Sequence, residues 1–219
     1  MLTACLLAAA LAAGVTGAWS PCGLSMVETL APRGYARRLR TSLTACATFT
    51  AGALAGGGAT FGGLALAGAA LGAGGATALG AAAVVAVAAA VADARGLRIA
   101  PQIRRQVPEA WRRTRPVPLA AAGYGVLLGL GFTTFVLSFA VWALAGASIA
   151  LGDPLLGLAI GLAFGTGRAL PVVALAPRAH APRASAVTAA MCERPGILLG
   201  LRRLDAVALL LCAVALGSA

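Results

Sequence analysis

The sequence contains no lysine: all seventeen basic side chains are arginine, set against six acidic side chains and one histidine, His180. Charge of any kind is scarce, at 11% of residues. In a soluble chain a net charge of +11 would point to nucleic acid. Here no polar stretch is long enough to fold into a nucleic-acid reading module, and nearly all the arginines fall between apolar runs. They read as topology signals, and no nucleic-acid partner is expected. The five cysteines, Cys5, Cys22, Cys46, Cys192 and Cys212, form no CxxC pair and no metal-ligand spacing with His180. No zinc or haem site is expected on that spacing, and no quinone or flavin motif is visible, so no cofactor is expected. Cys5 and Cys212 lie inside Ala/Leu runs and read as small apolar residues.

What the chain does have is apolar length. Hydrophobic residues make up 60%, glycine contributes 29 positions, and the mean hydropathy is +0.93. That composition belongs to integral membrane proteins, for which the lipid bilayer is the main partner. A bilayer core of about 30 Å takes roughly 20 helical residues. Six apolar segments can be drawn, at 2–30, 43–71, 76–92, 118–151, 154–176 and 196–217. The expected fold is an all-α membrane bundle of about six transmembrane helices.

Arginine is distributed unevenly between these segments. Four (Arg33, Arg37, Arg38 and Arg40) follow the first, seven lie from Arg95 to Arg115, and five from Arg178 to Arg203. The connections near Ala73 and Asp153 have none. The positive-inside rule then places the basic connections in the cytoplasm and both termini outside a multi-pass cell (inner) membrane protein. Arg168 is the exception, since it falls within the fifth segment. A charge at that depth should face the bundle interior or a polar cavity, held by backbone carbonyls or by an anionic substrate. A cleaved N-terminal signal is not expected, because residues 2–13 follow no basic stretch and their loss would spoil the count of spans.

Internal symmetry is visible. "WSPCGLS", Trp19 to Ser25, aligns with "FTTFVLS", Phe132 to Ser138, and "FTAGA" from Phe49 aligns with "FGTGRA" from Phe164. The chain reads as a single polytopic domain: a first three-helix repeat over 1–92, a basic cytoplasmic loop over 93–117, and a second repeat over 118–219. Three spans per half make the two repeats inverted, with function expected where the broken first spans meet. In the second span, Gly52, Gly56 and the Gly62-Gly63 pair suit close backbone approach. The loop from Asp93 to Pro118 suits a membrane-surface segment with Trp111 at the headgroup level.

Chemistry is expected first at Pro21-Cys22. Proline cannot donate a backbone hydrogen bond and clashes with the preceding turn, so the first segment should break near Trp19-Ser20. Non-helical backbone is tolerated at membrane depth only inside protein or beside a wet cavity. Cys22 is therefore either an exchanging thiol, presented at a helix start of the kind that favours thiolates, or a small residue at a structural kink. Cys46 is a candidate second thiol. Glu28, six residues past Cys22, is a candidate proton relay or partner of Arg168, or else an interfacial carboxylate near Arg33.

In "WSPCGLS" the chain resembles the membrane proteins of cytochrome c biogenesis and the transmembrane domain of the periplasmic disulfide reductase, the CcdA/DsbD family, whose first span carries Ser-Pro-Cys. "GRALPVVAL", Gly167 to Leu175, stands in the place of the family's Gly-Leu-Pro segment. "WSPCGLSM" is also similar to the related methylamine-utilisation membrane proteins, which the resemblance connects with maturing a disulfide-rich periplasmic dehydrogenase. The family likeness implies a thiol-disulfide carrier. In it a cytoplasmic thioredoxin reduces a membrane cysteine pair, which reduces an extracytoplasmic thioredoxin-like or cytochrome-maturation protein. Cys22 falls on the family's first active cysteine.

The second active cysteine belongs to a Thr-Pro-Cys motif, and that place here reads Thr133-Thr134-Phe135. Because a mixed disulfide must be resolved by a second thiol, the two-cysteine relay cannot run as written. Cys46, Cys192 or a partner would have to supply that thiol. The leading expectation is a thiol-dependent membrane accessory protein acting through Cys22. The alternative is a small-molecule or ion transporter or binding protein on the same scaffold, without redox activity and with Arg168 contacting an anion.

Overall fold

A computed structural model describes residues 1–32, 36–97 and 107–218, which are mostly helical, with no strand among them. In chain order the helices are α1 (Leu2–Ala18), α2 (Pro21–Leu30), α3 (Leu39–Ala70), α4 (Ala76–Ala94), α5 (Ala110–Thr114), α6 (Val117–Gly129), α7 (Ala140–Leu151), α8 (Pro154–Leu175), α9 (Pro182–Glu193) and α10 (Pro195–Gly217). A 3₁₀ turn, Ala176–Arg178, extends α8.

The first segment breaks where Pro21 requires it. Ser20 is in extended conformation, Pro21 is the first residue of α2, and the two helices meet at 76°. Proline suits that position because a helix's first amide has no intrahelical acceptor to lose. The Ser20 hydroxyl then accepts the Gly23 amide at 3.2 Å and caps α2.

Three helices, α3, α4 and α8 with its 3₁₀ extension, are long and apolar enough to cross a membrane, or four if the bent α1–α2 pair is one span. The segment read as one broken span over 118–151 is divided. Residues 130–139 leave the helix between α6 and α7, which are apolar but only 13 and 12 residues long. The last segment, α10, has the length at 23 residues but carries Arg202, Arg203 and Asp205. An additional helix, α9, fills the connection after α8. Exposed apolar side chains on α4, α8 and α10, including Val84, Leu155 and Val214, suit contact with lipid. The chain is a helical membrane protein.

Helix α3 packs centrally against α6 and α8, with α1 on the far side of α8. Glycine makes these contacts close. A methyl on Gly57 would overlap the Gly161 carbonyl and the reverse, so α3 and α8 touch through backbone. Contacts run from Ala53 with Gly165 to Phe61 with Gly157, which makes the two helices antiparallel. Gly14 of α1 abuts the Phe164 carbonyl and Arg168 amide, while Gly125 of α6 abuts the Phe49 carbonyl and Ala53 amide. Likewise Gly167 faces the Leu11 carbonyl and Gly52 faces the Ala122 carbonyl. Gly52 and Gly56 thus act as expected, both against α6. The Gly62-Gly63 pair does not: Gly62 has only ordinary contact with Leu158, and Gly63 faces open space.

Candidate functional site

Cys22 is the second residue of α2 and is buried, at 3% exposure. Its position follows from the local sequence, since Ser20 stops one helix and Pro21 starts the next. With Pro21 and Ser25 it lines one wall of a cavity of ≈ 350 Å³, whose other wall is Val107, Glu109 and Arg112 from the basic connection. Arg112 donates a hydrogen bond to the Ser25 hydroxyl across that cavity. The connection itself is anchored on α6. Trp111 stacks on Tyr124 with ring centroids 5.6 Å apart, and the Tyr124 hydroxyl donates to the Pro108 carbonyl at 2.9 Å. Trp111 is half-buried in protein, against Tyr124 and Gly123, and Arg115 lies 5.0 Å over its ring. Residues 98–106 of this loop lie outside the described residues.

Behind the thiol, Arg168 is buried at 1% exposure and within electrostatic reach of Cys22. Its guanidinium sits against Gly17 and 5.5 Å over the Phe164 ring, a cation–π contact. Its Nε and one terminal nitrogen have no hydrogen-bond partner among the described residues. No carboxylate forms an ion pair with it among the described residues. Glu28, the relay candidate, is exposed on α2.

Cys46 is buried in the apolar cluster that also contains Cys22, Met26, Phe49 and Tyr124. Cys5, Cys22, Cys46 and Cys212 are free thiols. The side chain of Cys192 lies outside the described residues. Phe135, from the second motif, packs against the same cluster as Cys22. Its neighbours differ from each other: Thr133 donates to the Leu127 carbonyl at 2.6 Å, whereas the Thr134 hydroxyl is buried without a partner among the described residues. The Trp19 indole N–H, at the other break, is likewise buried and has no partner among them.

Sequence reasoning missed a second polar cluster. Asp93, assigned to a loop, is in the last turn of α4 and completely buried. It accepts from Ser138 Oγ at 2.7 Å, from the Phe139 and Ala140 amides at 3.1 and 3.2 Å, and from Arg202 Nε at 2.9 Å. Arg202 also donates to the Leu97 carbonyl at 2.8 Å. The carboxylate thereby fixes the start of α7 to α4 and α10. A signal was present in Arg202 and Asp205, three residues apart within an apolar run, which called for a buried partner. No protein-family model, curated protein or solved structure matches this chain.

Proposed function

We propose that this chain is a membrane thiol-disulfide exchange protein, resembling the CcdA/DsbD carriers, that acts through Cys22 to pass reducing equivalents to, or assist maturation of, extracytoplasmic proteins. The observation that carries the reading is the placement of Cys22: at a helix start, on the wall of a polar cavity, within electrostatic reach of a buried arginine that has no carboxylate partner among the described residues. The thiolate is the attacking form of a thiol in such exchange. The Cys22 thiolate attacks a partner's disulfide, one partner sulfur leaves as thiolate, and a mixed disulfide remains. A second thiol must then attack the Cys22 sulfur, so that the partner leaves as its fully reduced thiolate and Cys22 ends in a disulfide with that second thiol. Cys46, in the same apolar cluster, or a thiol of a second partner fills that role in place of Phe135.

The scaffold in this reading is a six-span inverted repeat. Its support is the matched spacing of helix contacts: Leu11 and Gly14 meet α8 at Gly167, Phe164 and Arg168, as Ala122 and Gly125 meet α3 at Gly52, Phe49 and Ala53. The antiparallel course of α3 and α8 suits an inverted relation. The termini lie outside the inner membrane, and the cavity wall from the basic connection faces the cytoplasm, where a thioredoxin would deliver electrons. Reporters fused after Arg40 and Ala100 should read cytoplasmic.

The unpaired nitrogens of Arg168 favour a second reading, an anion transporter or binding protein on the same scaffold. One experiment separates the two. Each cysteine is changed singly to serine, thiols are trapped by alkylation, and mixed disulfides with thioredoxin-like proteins are sought. Adducts that depend on Cys22 support exchange. Their absence, with full activity of Cys22→Ser, overturns it.

A further inference from the structure

The geometry points to Asp205 as a proton-binding site inside the bundle, a carboxyl that holds an exchangeable proton. This stands apart from the thiol reading and concerns other residues. Asp205 lies at the middle of α10, is 1% exposed, and neither carboxyl oxygen has a hydrogen-bond partner among the described residues. The groups that face it are Thr16 of α1, Ser138 of the α6–α7 connection, Asp93 of α4 and Arg202 of its own helix.

Three of these neighbours are already committed. Arg202 spends Nε on Asp93 and a terminal nitrogen on the Leu97 carbonyl. Ser138 gives its hydroxyl proton to Asp93 and accepts the Ala140 amide. Asp93 and Arg202 therefore form a complete neutral pair, and an ionised Asp205 would leave one net negative charge buried with only the hydroxyls of Thr16 and Ser138 beside it. Burial penalises that form heavily, and a bound proton removes the penalty. A metal cation is the poorer occupant. It would sit beside the Arg202 guanidinium, and Ser138 has little capacity left for coordination. A proton needs no coordination shell, and the neutral carboxyl gains a donor that Thr16 can accept.

The site is also placed for exchange. Ser138 belongs to the non-helical stretch 130–139 and Thr16 is in the last turn of α1 before the Trp19-Ser20 break. Non-helical backbone at this depth is where polar groups and water can be accommodated.

The test is infrared spectroscopy of the protein in lipid nanodiscs at neutral pH. Six carboxyl side chains in the chain make assignment tractable. The expected result is a protonated-carboxyl C=O band that shifts in D₂O, disappears in Asp205→Asn and survives Asp153→Asn, a change at the exposed cap of α8. Should Asp205→Asn fail to fold, Asp205→Glu must move the band to a new frequency. A spectrum without such a band, a band unchanged by either substitution at 205, or one that never shifts in D₂O would overturn the proposal.

Discussion

Gly17 and Arg168 share one space: the guanidinium carbon lies 2.6 Å from where a Cβ on Gly17 would stand. The absence of a side chain on α1 is what admits the arginine of α8. An uncompensated buried charge is costly, and even a buried ion pair can often be replaced by apolar side chains of similar volume at no cost or with a gain of about 1–4 kcal/mol. Arg168→Met should therefore unfold at an equal or higher temperature than the parent while alkylating more slowly at Cys22. Gly17→Ala should lose about 1–3 kcal/mol through overpacking and slow the same alkylation, because the guanidinium must move. If Arg168→Met leaves the alkylation rate unchanged, the arginine has no part in the thiol's chemistry.

The Asp93–Arg202 pair behaves oppositely, because each partner satisfies the other. Asp93→Ala would strand the Arg202 charge and remove two amide contacts at the start of α7, for a loss of about 3–5 kcal/mol. Adding Arg202→Met should recover most of that loss. The exposed Glu109–Arg113 pair, with side chains 65% and 73% exposed, is the control. Its disruption should change stability by no more than about 1 kcal/mol. Unfolding in mixed micelles measures all three, and a severe Asp93→Ala defect that Arg202→Met does not relieve would show that helix attachment, not charge, dominates.

These two sites show how far sequence reasoning reached. The break at Ser20 was legible because proline acts locally, through its own ring and missing amide. The placement of Arg168 was legible in kind, because a charge within an apolar run has few tolerable environments. Its contact with Gly17 was not, since it depends on how α1 crosses α8. Asp93 was misread for the same reason. Its neighbours in sequence are basic and loop-like, whereas its partners Ser138 and Arg202 arrive from distant segments. The interruption over 130–139 was legible only through symmetry, because "FTTFVLS" has no proline and its apolar residues continue the hydropathy of both flanks, so that its alignment with "WSPCGLS" alone marked the break.

Backbone contact between α3 and α8 gives a graded test. Gly57→Ala places a methyl against the Gly161 carbonyl, a rigid neighbour, and should separate the helices at a cost of about 1–3 kcal/mol. Gly63→Ala, on the same helix, meets nothing within 4 Å. It should stay within about 0.5 kcal/mol of the parent or gain slightly from helix propensity. Thermal melts in detergent distinguish them, and equal effects would contradict the packing.

Phe135 occupies the position at which the resemblance implies a second thiol, and it packs against the cluster that contains Cys22. If the two interrupted segments meet there, Phe135→Cys should restore a bridging partner. The clearest background has Cys5, Cys46, Cys192 and Cys212 changed to serine. A disulfide requires Cα atoms about 4.4–6.8 Å apart, so bridging reports proximity directly. On mild oxidation both remaining thiols should become inaccessible to an alkylating reagent, and reduction should restore them. The parent residue at 135 in the same background should leave Cys22 alkylatable throughout. Persistent alkylation of both thiols after oxidation would mean that the breaks do not meet, and the proposed pairing of the two half-sites would fall with it.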